Sequence, residues 1–247
     1  MESIFEKRLT VTPDYCDASG ALSPLAAFTI FQGIAAQHAE VLGVGSSAMA
    51  KKGEFWLTVH TRVDLFERAY LMDELTVRTW AEACSERDVR TYRSYTLSRG
   101  EAVIIARGKT EWAILGPEQK IIRFGDSGFP KDYPFPAETA IPEKLQRFHE
   151  KFEDADLFSH YVVRSTDIDL GHHMNNVAYV RLLLDCFSAK ELASGNIQSV
   201  ELHYSTPCFE GEALTVYKKS LDDGTCRIGI VKPDGKTASQ ACVTFKK

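Results

Sequence analysis

Leu157–Val163 reads as a strand and runs into Asp167-Ile168-Asp169-Leu170-Gly171-His172-His173-Met174-Asn175-Asn176. A helical stretch follows, from about Asn175 to Leu192, with Val177, Val180, Leu184 and Phe187 on one face. The same order occurs earlier in the chain. Strand-like Phe5–Val11 leads to Asp17-Ala-Ser-Gly20, then to a helical stretch from Leu25 to Leu42 with Phe28, Phe31, Ala35, His38 and Leu42 at helical spacing.

After each helix come strands rich in β-branched and aromatic residues. Leu75-Thr-Val77 answers to Leu214-Thr-Val216, and each follows an acidic turn, Asp73-Glu74 in one half and Glu210-Gly211-Glu212 in the other. A later hairpin in each half turns at glycine, in Ser98-Arg-Gly100 and Pro233-Asp-Gly235. Between the copies, Pro130, Pro134, Pro136 and Pro142 exclude a long helix or a central strand, so this stretch reads as a linker. The expected organisation is one unit over residues 1–125, a Pro-rich linker over 126–155 and a second unit over 156–247. A lone helix on a small sheet leaves a sheet face bare, whereas two copies side by side make a continuous sheet with both helices packed on it. The fold class is α+β.

The chain of 247 residues carries 29 basic and 34 acidic side chains, a formal charge of −5, which argues against a nucleic-acid coat protein. No apolar run approaches the ~20 residues that span a bilayer, and the first residues lack a signal peptide's apolar core. No membrane association and a cytoplasmic location are therefore expected. Six cysteines (Cys16, Cys84, Cys186, Cys208, Cys226, Cys242) show no Cys-x-x-Cys pair and read as free thiols. Asp167, Asp169, His172, His173 and His203 carry donor atoms for a metal, but adjacent histidines rarely converge on one ion, so neither metal nor cofactor is expected.

The chemistry concentrates where Asp169, His173, Asn175 and Asn176 precede a helix. A helix start offers unpaired N–H groups and partial positive charge, suited to polarising a carbonyl or holding an oxyanion. Asn175 or Asn176 can cap it. His173 is the natural general base at neutral pH, with Asp169 placed to orient the ring or a water.

The whole chain resembles the acyl-acyl carrier protein thioesterases, tandem hotdog enzymes whose motif Asp-x-Asn-x-His-Val-Asn-Asn stands here as Asp169-Leu-Gly171-His172-His173-Met174-Asn175-Asn176. Phe31-Gln32, Glu40-Val-Leu-Gly43-Val-Gly45, Phe55-Trp56-Leu57 and Asp73-Glu74-Leu75-Thr-Val77-Arg-Thr-Trp80 extend the resemblance into the first half. It implies a double hotdog in which the second half hydrolyses a fatty acyl thioester and the first half selects the acyl chain. Asp169 and His173 fall on the family's catalytic Asp and His. Gly171, His172, Asn175 and Asn176 would contact substrate, and Phe31 and Ile34 would line the acyl tunnel.

Two positions depart from the pattern: Gly171 stands for the family's Asn, and Pro207 for a Glu that precedes the Cys matched by Cys208. Three readings of the site stay open. Asp169 and His173 activate water, with His172, His203 or Glu201 replacing lost groups; or Cys208 is the nucleophile and His173 its base; or the site is degraded. The resemblance implies an acidic acyl carrier protein as partner, received on a basic patch among Lys51-Lys52, Arg87, Arg90 and Arg93, or Lys218-Lys219. Acyl-coenzyme A thioesterase and non-catalytic acyl binder are the rival functions, and two such units can pair as a homodimer.

Overall fold

Ser23 and Asn175 open the two principal helices in the same way. Ser23 precedes α1 (Pro24–Val41) and its hydroxyl accepts from the Ala26 N–H at 3.1 Å; Asn175 precedes α3 (Asn176–Leu184) and its carbonyl accepts from the Val177 N–H at 2.8 Å. These are the helices expected in each repeat. In the computed structural model, which describes residues 2–246, they follow strands β1 (Phe5–Thr10) and β7 (Leu157–Val162).

Short α2 (Ser46–Ala50) and strands β2 (Phe55–Leu65), β3 (Glu74–Ala81), β4 (Thr91–Arg99), β5 (Val103–Leu115) and β6 (Ile121–Ile122) complete the first half. Short α4 (Ala189–Ala193) and strands β8 (Ile197–Tyr204), β9 (Ala213–Ser220), β10 (Thr225–Val231) and β11 (Thr237–Phe245) complete the second. The strands form one antiparallel sheet in the order β1-β3-β4-β5-β2-β8-β11-β10-β9-β7, with β6 on β5. The halves join where β2 pairs with β8, Arg62 opposite Glu201 and Val63 opposite Val200. Reading inward from either edge gives equivalent strands, as the repeat requires. The arrangement is the expected double hotdog, with α1 and α3 packed together on one face of the sheet.

The equivalence extends to single hydrogen bonds. Leu22 N–H donates to Ala69 O, and Met174 N–H donates to Cys208 O; Met72 N–H donates to Val11 O, and Gly211 N–H donates to Val163 O. Met72 accordingly sits at φ +70°, in the left-handed region where the second copy has Gly211 at φ +83°.

One core spans both halves. Phe28, Phe31 and Ile34 of α1 meet Tyr179, Val180 and Leu183 of α3 above Val63, Val200 and Leu202 of the joining strands. Nine residues would not hold a helix in water, so α3 depends on this packing, each large buried side chain contributing roughly 1.5–3 kcal/mol.

The second helix ends at Leu184, not at Leu192. Its continuation loses to a new start: the Ser188 hydroxyl accepts from Glu191 N–H while the Glu191 carboxylate accepts from Ser188 N–H at 2.7 Å, a capping box that begins α4. Lys218 Nζ donates to the freed Cys186 carbonyl at 2.7 Å.

Residues 127–153 contain no helix or strand; Phe129, Tyr133 and Phe135 pack with Leu42 and Met49 at the ends of α1 and α2, and the stretch from Glu138 onward runs along the sheet. Trp80 Nε1 donates to Glu138 O, Ala140 N–H to Ser94 Oγ, Lys109 Nζ to Ile141 O, and Gln240 Nε2 to Glu150 O, so the strap is tied across both halves. Among the described residues no helix is long and apolar enough to cross a membrane.

Candidate active site

Each repeat carries the same tight loop ahead of its helix. In the second, Asp169 N–H donates to His173 O (3.1 Å), His172 N–H to Asp169 O (3.0 Å) and Gly171 N–H to Asp169 Oδ1 (2.8 Å). In the first, Asp17 N–H donates to Ala21 O (2.7 Å), Gly20 N–H to Asp17 O (3.0 Å) and Ser19 N–H to Asp17 Oδ1 (2.8 Å). The aspartate thus builds the turn in both copies. His172 holds the left-handed position (φ +58°) that Gly20 holds in the first copy (φ +78°), and it is exposed.

The side chains differ where it matters. Opposite Asp169 the second loop has His173, with Nδ1 3.8 Å from Asp169 Oδ1, close enough for an ion pair but long for a hydrogen bond. Both groups are partly open to solvent. The first loop has Ala21 in that place, and its Asp17 is paired with Arg68 (Nη2 to Oδ2, 3.0 Å). Only the second copy presents a carboxylate beside an imidazole.

Gly171 shapes that pair. A Cβ there would meet His173 Nε2 at 2.7 Å and Asp169 Oδ1 at 3.1 Å, so the imidazole occupies the space a side chain would need.

An ion pair between buried Asp167 and partly exposed Arg181 braces the loop from below. Asp167 accepts from the Tyr161 hydroxyl (2.6 Å) and the Arg164 N–H (2.8 Å), and it is bonded to Arg181 of α3. Burial alone would raise its pKa, but these donors together hold the carboxyl below the usual range. Its own carbonyl accepts from Asn175 N–H at 2.8 Å, fixing the helix start against the loop.

Cys208 lies beneath the site. It is fully buried, its N–H donates to the Tyr179 hydroxyl at 3.0 Å, and burial raises its thiol pKa, so it is held as thiol. Glu201 and His203 cannot replace missing groups, because they point to the far face of the sheet. Glu201 is buried there beneath the strap, 3.0 Å from His60 Nε2 and accepting from Gln146; His203 contacts Ser205 and stacks edge-on to His60.

Two first-half residues reach the helix start. Gln32 Nε2 donates to Asn175 Oδ1 (3.3 Å), and Asn176 Nδ2 donates to Thr58 Oγ1 (2.8 Å). Thr58 faces the helices because β2 bulges between it and His60. Neither was singled out as a site residue. A narrow cavity of about 30 Å³ opens here, lined by Phe28, Phe31 and Gln32 of α1, Asn176 and Val177 of α3, and Thr58 of the sheet. Phe31 lines it, whereas Ile34 belongs to the packed core and is not part of its wall.

The basic groups fare unequally. Arg93 is buried with Nη1 2.9 Å from His38 Nδ1, so it faces no partner. Arg90 pairs with Glu111, Lys219 with Glu150, and Lys218 is engaged at Cys186; Lys51, Lys52 and Arg87 are exposed.

This architecture recurs in solved structures. An acyl-ACP thioesterase from Bacteroides thetaiotaomicron superposes with a TM-score of 0.82 at 20% identity, over 99% of this chain and 98% of that one. The 12:0-ACP thioesterase from Umbellularia californica gives 0.82 at 16% identity, over 100% and 98%. The fold is therefore that of the double-hotdog proteins. Within that class, the model for the acyl-ACP thioesterase N-terminal domain matches residues 2–123 and that for the C-terminal domain matches residues 150–247. The chain belongs to the acyl-ACP thioesterase family. The chloroplastic oleoyl-acyl carrier protein thioesterase of Coriandrum sativum is 20% identical over 227 residues, covering 85% of this chain; the chain spans 61% of that relative's length.

Proposed function

We propose that this protein hydrolyses fatty acyl thioesters carried on acyl carrier protein, releasing free fatty acid and carrier. Family membership supports the reaction class, and the observation that carries the reading is the Asp169–His173 pair, present in one repeat and replaced by Asp17 and Ala21 in the other. His173 accepts a proton from water as the water attacks the thioester carbonyl, and Asp169 steadies the imidazolium that forms. The carbonyl becomes a tetrahedral oxyanion. At the start of α3, Val177 N–H is taken by the Asn175 side chain and Ala178 N–H by the Asn175 carbonyl, which leaves Asn176 N–H as the first-turn donor toward that oxygen. Collapse expels the carrier thiol, with His173 returning the proton.

Water is the nucleophile in this account, because Cys208 is buried and protonated. The helix-side cavity receives the acyl group, so first-half Phe31, Gln32 and Thr58 contribute to selectivity while the second half supplies the chemistry. Turnover of acyl carrier protein substrates of graded length, against the same acyl groups on coenzyme A, tests this. The expected result is hydrolysis with preference for the protein carrier; no turnover on either would leave an acyl-binding protein instead.

A further inference from the structure

The two repeats differ at the C-terminal ends of their principal helices, where a cleft lies between the short helix and the strand ends. Leu75-Thr-Val77 answers to Leu214-Thr-Val216, so Ala81 of β3 answers to Ser220 of β9. The turns just beyond agree: Glu82 N–H donates to Tyr92 O, and Leu221 N–H to Thr225 O, both at 2.9 Å. In the first repeat the cleft is filled. Phe129 and Tyr133 of the strap pack with Leu42, Met49, Ala81 and Ile114, and the Tyr133 hydroxyl accepts from Ala81 N–H at 3.2 Å. In the second repeat a cavity of about 240 Å³ opens in the corresponding place, beside α4 and the ends of β9, β10 and β11, and no residue of 127–153 lines it.

Its walls join apolar surface to one cation. Phe187 and Phe245 meet edge-on with ring centres 5.7 Å apart, and Leu221 and Cys226 add to the apolar side. Lys218 lines the cavity too. Its Nζ sits 4.3 Å from the centre of the Phe187 ring and donates to Cys186 O, which uses one of its three N–H donors. Among the described residues Lys109, Lys120, Lys219, Lys232 and Lys236 pair with carboxylates and Lys218 does not. Glu191 shares the wall, but its carboxylate is tied to the Ser188 N–H and hydroxyl, both at 2.7 Å, and its fixed charge disfavours a ligand with more than one negative charge. An apolar cavity of ~150 Å³ takes a benzene ring, so this one has room for a ring-sized body and a short tail. We propose that the cleft binds a monocarboxylic acid, its apolar body against Phe187 and Phe245 where strap aromatics sit in the first repeat, and its carboxylate on Lys218 Nζ. A short fatty acid and an aryl-substituted acid share this chemistry. The site lies at the opposite ends of the helices from the Asp169–His173 loop, and its binding does not depend on thioester hydrolysis.

Calorimetric titration of the full chain with hexanoate, hydrocinnamate and the uncharged amide of each reads the binding directly. The wild-type protein binds at least one acid about tenfold more tightly than its amide, the scale of one charge-assisted hydrogen bond. Whichever acid binds more tightly identifies the source, fatty or aryl. In Lys218→Met, which keeps the alkyl stem and loses the charge, acid and amide bind alike. In Ser220→Trp, whose indole fills the cleft as Tyr133 does in the first repeat, the acid no longer binds while thermal unfolding stays as in wild type. No saturable binding to the wild-type protein, equal affinity for acid and amide, an acid preference that survives Lys218→Met, or binding that survives Ser220→Trp overturns the proposal.

Discussion

His173 Nε2 lies over the α-carbon of Gly171, so close that a Cβ at that position would be 2.7 Å from the nitrogen. The absent side chain is what lets the ring fold back toward Asp169. Gly171→Ala should push the imidazole off the carboxylate and lower kcat by about tenfold to a hundredfold, since displacements of about 1 Å can cost that much. Thermal unfolding should change little, because Gly171 is exposed and has a negative φ. An Ala variant with wild-type kcat would show that the ring's resting place is irrelevant.

Cys208 sets a contrasting expectation. A thiol that is fully buried and kept protonated neither attacks a thioester nor meets alkylating reagents. Cys208→Ala should retain kcat within about threefold, and iodoacetamide should leave the native enzyme active. Loss of activity in Cys208→Ala, with folding intact, would restore the cysteine as nucleophile.

Asp167 is legible in sequence only as one more acid near the motif, yet it braces the loop. Asp167→Asn strips Arg181 of its counter-charge and weakens the bonds from Tyr161 and Arg164. Because the Arg181 side chain is partly exposed, the loss should be about 2–3 kcal/mol, below that of a wholly buried pair. Urea unfolding measures it.

His38 gives the chain an acid-sensitive core. Burial first, and the neighbouring Arg93 second, lower its pKa to about 4 from an ordinary 6.5. The unfolded chain therefore binds a proton more readily than the folded one between those values. The stability this neutral histidine confers is complete above pH 6.5 and is lost as pH falls toward 4. Between pH 7 and 5 the loss is about 2 kcal/mol. His38→Gln should unfold with a flatter pH dependence across that window; equal slopes in the two proteins would contradict the assignment.

The repeat was readable because its signals are local. Asp17 and Asp169 each build their own turn, Ser23 and Asn175 each cap their own helix, and the strand and turn residues follow in the same order. Even the early end of α3 had a local signal, the Ser188-x-x-Glu191 capping box. What stayed hidden depends on distant contacts. Thr58 and Asn176 are 118 residues apart, Gln32 and Asn175 are 143, and no spacing rule links them. The facing of Glu201 and His203 was equally out of reach, since alternation along β8 shows that they share a face but not which face the helices cover.

The central claim is that His173, oriented by Asp169, activates water at the start of α3. Its most direct measurement is kcat for an acyl carrier protein thioester in wild type and His173→Gln, both checked for native folding. Loss of a general base should lower kcat by roughly a hundredfold to ten-thousandfold. A folded His173→Gln enzyme that turns over at the wild-type rate would contradict the account.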